Sequence, residues 1–387
     1  MKQYAIALSV LLVTLPLVSL AAESAKAFPV TVTAEDMRAH YQAGETIKVL
    51  VMPGHEPGYG GTVYRDLLER DIAVQISNEL ALALRADPRL EVSVARTTGA
   101  WSPELSEYFE EEWKDIQKFV KDKKRVMERM INRGDLEQRE FEVDHNAAAT
   151  DVAYRLYGIN RWANENDYDI AVHVHLNDNL GHGLQAPGLH SGFAVYVPDE
   201  QYGNGAASKA LGESIASQLN HFNATSTLPI ENYGVVPDQD LIALGAYNTA
   251  EYASVLIEYS YIYESKITYP EAREAVIKDF AHQTYQGIRQ FLGAPVVGSD
   301  TRVLPYAWTV GPIKVGTSST QGYALQVALH KLGFYPPAGS LLIGCPISGY
   351  VGECTISALK AFQASKGLEQ TGSIGPKTKA ALQSHGY

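Results

Sequence analysis

The sequence predicts an α/β fold, a mostly parallel sheet with helices on both faces, followed by a small C-terminal three-helix bundle. Three observations carry this. Apolar strand-like runs alternate with long helical patterns over residues 28–293, which argues for βαβ units. After an aperiodic stretch, residues 321–387 show helical spacing broken by glycine-rich turns. The chain's 387 residues exceed one domain of roughly 100–200, so two globular units are expected.

The chain opens with "MKQYAIALSVLLVTLPLVSLAAES". Lys2 supplies the charged start and an apolar run follows from Ala5 to Leu20. Ser19-Leu20-Ala21 offers small residues at the two positions a signal peptidase reads, so residues 1–21 are expected to be a signal peptide. A membrane anchor is the competing reading, but the run is shorter than the ~20 residues a spanning helix needs and contains Pro16. Export to a periplasmic or extracellular location, with no stable membrane insertion after cleavage, is therefore expected. The net charge of −12 argues against nucleic acid and against anionic membrane surfaces, both of which favour basic patches.

"TIKVLVM" (46–52) is the first strand and Tyr64 to Arg85 the first helix. "LEVSVART" (90–97) is the second strand. A helical insert over 102–143 then interrupts the alternation. Within it, Ser102 is a candidate N-cap, Pro103 suits the first turn, and Glu104 lies early. Leu105, Phe109, Trp113, Ile116, Val120, Met127 and Met130 form one apolar stripe, either a packing face or the underside of a lid beside the active site. The alternation resumes with a helix from Thr150 to Asn166, "YDIAVHVH" (168–175) and "SGFAVYV" (191–197). A helix from Ala206 to His221, the strand "ASVLIEYS" (253–260) and a closing helix from Pro270 to Phe291 complete the unit. Residues 294–320 read as a linker.

In parallel sheets, sites gather where strands end. His55, in "VLVMPGHEPGYGG", and His175 both lie at predicted strand ends. Glu69 sits early in the first helix, and Glu258 ends a buried strand, where an unpaired carboxylate is costly. Two imidazoles and one carboxylate suit Zn²⁺ and leave a fourth position for water. A second carboxylate can then move the water's proton. His173 shares a strand face with His175 and is a second candidate near the ion. Glu56 is expected to be solvated. His182 and His190 are expected to be loop residues.

Taken in order, "PGH…GG…ERD", "R…AN…DIAVHVHLN" and "VLIE" resemble the zinc-dependent N-acetylmuramoyl-L-alanine amidases of the Amidase_3 type, over about residues 46–293. The resemblance implies His55, Glu69 and His175 as ligands of one Zn²⁺ and Glu258 as the catalytic glutamate. Arg155 and Asn164 match positions that look structural. There are departures: Met52 replaces the family's usual acid, "EPGY" lengthens the loop, and "EYSYIYES" replaces "ELGF(I/L)SN".

The last unit resembles the peptidoglycan-binding type 1 domain through "LQVALHKLG" and "GYVGECTISALKAFQASKGLEQTGSIGPKTKAAL". Thr355 and Thr378 fall at matching places in what looks like a half-repeat, and Ser348 replaces the family's usual aspartate. The two cysteines, Cys345 and Cys354, form a disulfide that closes a small loop or lie as two buried thiols.

The resemblances together imply an exported, wall-associated zinc hydrolase that cuts the amide between N-acetylmuramic acid and L-alanine. Peptidoglycan is the implied partner, and an activating or regulatory envelope protein is a second candidate partner. Two other readings compete: a zinc-dependent peptidase cutting stem peptides, and a catalytically silent peptidoglycan-binding protein.

Overall fold

The computed structural model describes residues 28–139, 148–179, 182–295, 298–308 and 313–387. The expected signal segment 1–21 lies outside the described residues, as do positions 140–143 of the insert, His145 and six positions of the linker. Among the described residues, no helix is long and apolar enough to cross a membrane.

The chain runs α1 (Ala34–Ala43), β1 (Ile47–Pro53), β2 (Val63–Tyr64), β3 (Leu67–Leu68), α2 (Glu69–Leu84) and β4 (Leu90–Val94). Next come α3 (Pro103–Glu111), α4 (Trp113–Arg133), α5 (Thr150–Glu165), β5 (Ile170–Asn177), β6 (Ala194–Pro198), α6 (Gly205–Leu219) and β7 (Val235–Asp238). A 3₁₀ turn (Ile242–Leu244), β8 (Ala253–Tyr261), α7 (Ser265–Thr268) and α8 (Pro270–Phe291) close the first unit. The last unit holds α9 (Thr320–Lys331), α10 (Glu353–Ser365) and α11 (Pro376–Gln383).

Six strands form one sheet in the order β4-β1-β5-β8-β6-β7. β4, β1, β5 and β8 are mutually parallel, and β6 turns antiparallel to β8. Both faces are covered, as the fold class requires. Val49, Val51, Val172, Val174, Val255 and Ile257 pack toward α2, α6 and α8. Leu50, Met52 and Ala171 pack against Leu105, Phe109, Ile116, Ile159 and Ala163 of α3, α4 and α5. Side chains alternate along a strand, so His173 and His175 share the face of Ala171.

Ser102 caps α3 by accepting from Leu105 N–H, with Pro103 in the first turn. The insert is broken at Glu112 into two helices rather than one. Its stripe is a packing face. Ile116 sits under α5, Val120 contacts Tyr157 and Ala246, and Met127 joins Phe28 and Tyr202.

The first helix starts at Glu69, five residues later than its apolar pattern suggested. A two-stranded hairpin, β2 with β3, takes up the difference, turning at Arg65 with a positive φ of 55°. α1 and β7 were not anticipated. α1 is mostly polar and buries only Ala34, Met37 and Tyr41, and β7 spans four residues.

The C-terminal helices share one continuous core with the sheet domain, through Tyr323, Leu325, Leu329, Phe362 and Leu382. The half-repeat has a physical basis. Gln326 donates to Thr355 Oγ1 (2.9 Å) and accepts from the N–H groups of Ser348 and Gly349. Gln363 repeats this with Thr378 Oγ1 (3.1 Å) and Gly372 N–H. Cys345 and Cys354 are disulfide-bonded.

Candidate metal centre

β1 ends at Pro53, and Gly54 continues its ladder by donating to Val174 O (2.8 Å). The chain then turns sharply, placing His55 at φ 67°, a left-handed conformation costly for a side chain with a Cβ. Only glycine fits before it. A Cβ on Gly54 would lie 2.4 Å from His175 Cε1. Gly61, at φ +82°, closes the loop from the other side, where a Cβ would come within 2.9 Å of His55 Cδ2. The two glycines therefore leave room for two imidazoles to converge.

Glu69 is the first residue of α2, where the helix dipole favours a carboxylate. Its Oε2 lies 2.8 Å from His55 Nε2 and its Oε1 3.1 Å from His175 Nδ1. Thr62 N–H donates to Oε2 (2.9 Å) and Leu176 N–H to Oε1 (3.1 Å). The strand register slips between His175 and Asn177, which accompanies this turn of the Leu176 amide. One ligand atom from each of His55, Glu69 and His175 falls within 4.8 Å of the others.

Burial alone would raise the proton affinity of Glu69. His55, then the hydrogen bond from His175, outweigh it and hold the carboxyl well below its usual range. Burial pushes His175 down and so favours its neutral, ligating form.

The residues present fit a single divalent cation. His55 Nε2 faces a carboxylate oxygen at 2.8 Å yet is buried without an aligned hydrogen bond. Two imidazole nitrogens and one carboxylate are the borderline-soft donors that Zn²⁺ takes.

Glu258 pairs in register with His175 across β5 and β8, and with Ala194 on β6. Its Oε2 is buried without a hydrogen-bond partner. Burial first, then the charges of Glu69 and Glu231, push its carboxyl well above the ordinary value. His173 is buried beside the Ala243 backbone with an unpartnered Nε2, and burial holds it down at about 3. It is not among the converging ligand atoms.

Glu56 is buried rather than solvated. Its Oε1 accepts from Arg155 Nε (2.8 Å), anchoring the residue after His55 to α5. Asn164 bridges α5 to the loop before β8 through Thr249 O and Glu251 N–H. His182 pairs with Asp178 (2.7 Å), and His190 contacts Thr227.

Sequence reasoning missed two residues near the site. Glu231 is fully buried and accepts from Asn177 Nδ2 (2.8 Å), Tyr196 OH (2.6 Å) and Tyr261 OH (3.0 Å). Arg96 is 1% exposed behind the His55 loop. Neither sits in a recognisable spacing. The one available signal for Arg96 was a cation near the end of a strand-like run.

The family described as N-acetylmuramoyl-L-alanine amidase matches residues 49–290, and the peptidoglycan binding domain family matches residues 319–382. A curated relative from Bacillus licheniformis, described as a probable N-acetylmuramoyl-L-alanine amidase, is 44% identical over 73 residues. That stretch spans 19% of this chain and 19% of the relative. Among solved structures, the CwlD amidase from Clostridioides difficile, in complex with the GerS lipoprotein, is 16% identical, with a TM-score of 0.41 over 64% of this chain and 99% of that one. The amidase Ami1 from Mycobacterium smegmatis is 19% identical, with a TM-score of 0.41 over 64% of this chain and 98% of that one.

Proposed function

The chain belongs to the N-acetylmuramoyl-L-alanine amidase family, and on that premise we propose that it is an exported Zn²⁺-dependent hydrolase of peptidoglycan. The bond it cuts is the amide joining N-acetylmuramic acid to L-alanine. The observation that supports this best is the convergence of His55, Glu69 and His175 beside the unpartnered Glu258.

His55, Glu69 and His175 would hold the ion. A bound Zn²⁺ would polarise the amide carbonyl, acidify a water, and offset the negative charge Glu69 places beside Glu258. Glu258 supplies the proton transfer. Its free Oε2 accepts the proton of the attacking water and delivers it to the departing L-alanine nitrogen.

The C-terminal unit would hold peptidoglycan and raise its effective concentration at the metal centre.

The test is to incubate the mature protein with Zn²⁺ and purified sacculi and identify the new ends. Free lactyl carboxyls on muramic acid with new L-alanine amino termini are the expected result. New termini inside the stem peptide would make the protein a peptidase instead. Binding without cleavage would make it a silent wall-binding protein.

A further inference from the structure

We propose that Arg96 is a positioning residue for the metal centre, a single guanidinium that sets the backbone of both the His55 and the Glu69 segments. The proposal rests on the metal-binding reading above.

Arg96 follows β4, one strand away from the ligand-bearing end of β1. Its Nε donates to Pro53 O (3.1 Å) and its Nη2 to Gly54 O, the two carbonyls directly before His55. Nη2 also donates to Arg70 O (3.1 Å), directly after Glu69, and Nη1 donates to Thr97 O (2.9 Å). All four partners are carbonyl oxygens, three of them flanking the two ligands.

Successive carbonyls of an extended strand point to opposite sides. For Pro53 O and Gly54 O to reach one guanidinium, the chain must turn at Gly54. That turn delivers His55 into its left-handed conformation and toward Glu69. The rigid fork of donors suits this task, because one planar group satisfies several carbonyls at fixed angles.

The chemistry of the partners sets Arg96 apart from an ordinary structural ion pair. A buried charge usually persists because a carboxylate pairs with it. Arg96 instead meets only carbonyl dipoles, while Asp71, Glu56 and Glu69 act on it through their fields. Burial lowers its proton affinity to about 10, so it remains charged at neutral pH. The cation is retained where it fixes ligand geometry.

The experiment measures Zn²⁺ affinity of the full chain by competition with a chromophoric chelator. It also records the visible absorption of the Co²⁺-loaded protein and the thermal stability of the metal-free protein. Arg96→Met is expected to lose about 10–100-fold in Zn²⁺ affinity, the range seen when outer-shell partners of a metal site are removed. Its Co²⁺ bands are expected to change in position or intensity. Arg96→Lys keeps the charge but not the fork and is expected to fall between Met and the native protein.

A loss of thermal stability with unchanged Zn²⁺ affinity and Co²⁺ bands would overturn the proposal. Failure of both variants to fold would assign Arg96 to the fold and overturn it too. Failure of the native protein to bind Zn²⁺ would overturn the metal-binding reading itself, and this inference with it.

Discussion

The rim of the sheet and the seam beneath α8 both bury polar groups, and they differ in how many they leave unpaired. At the rim, His55 Nε2, His173 Nε2 and Glu258 Oε2 lack aligned partners, and the backbone at His55 is strained. Along the seam, the buried Asp279 of α8 accepts from Thr301 Oγ1 (2.8 Å), from Arg302 N–H (2.6 Å) and from the Tyr323 side chain. His282 pairs with Ser299 O (2.7 Å), and Lys331 of α9 pairs with Asp300. Buried polar groups normally find partners, and leaving one unmade costs about 1–3 kcal/mol. Most of the seam's polar groups join two units, with the buried Gln283 Oε1 of α8 an exception. The rim leaves three side-chain atoms unpaired beside a strained backbone, the pattern expected of a functional site.

The largest expected effect breaks the rim at its ligands. His175→Ala should abolish both Zn²⁺ binding and hydrolysis of sacculi. Glu258→Gln should retain Zn²⁺ but lower kcat by about 10²–10⁴, the usual contribution of a positioned acid–base group. Isothermal titration with Zn²⁺ beside a turnover assay separates the two. Equal loss of metal in both variants would erase the distinction between ligand and proton carrier.

At the seam the matching lever is pH. Burial raises the Asp279 carboxyl from 3.8 to about 6. Between those values the folded state binds more protons than the unfolded one. Stability is therefore greatest below about pH 4 as far as this group is concerned, and falls as pH rises through 6. The linkage is worth about 3 kcal/mol. Asp279→Asn should flatten that part of the stability–pH curve, measured by urea unfolding across pH 4–7. An unchanged slope would remove Asp279 from the account.

The smallest expected effect concerns Cys345 and Cys354, which are nine residues apart. Closing so short a loop is worth about 2.6 kcal/mol. Replacing both by serine should lower the melting temperature of the C-terminal unit while leaving Zn²⁺ affinity intact. A changed Zn²⁺ affinity would mean that the seam and the rim are coupled.

Much of this was legible in the chain. The order of strands and helices follows from apolar runs; histidines at strand ends pointed to a site, and only the resemblance to the amidase family joined Glu69 to His55 and His175. What stayed hidden depended on contacts distant in sequence. Glu56 looks like a loop acid until α5 brings Arg155 beside it, 99 positions later. Glu231 carries no spacing signal, because its partners Asn177, Tyr196 and Tyr261 come from three different strands. The start of α2 was misplaced because the hairpin's residues continue the helical apolar pattern.

α8 has a mechanical consequence. It packs against α2 and α6 on one side and meets α9 on the other. Tyr269, just before α8, stacks on Tyr350 of the C-terminal unit with ring centres 5.5 Å apart. Through Asp279 and Tyr323, α8 thus ties the C-terminal unit to α2, the helix whose first residue is Glu69.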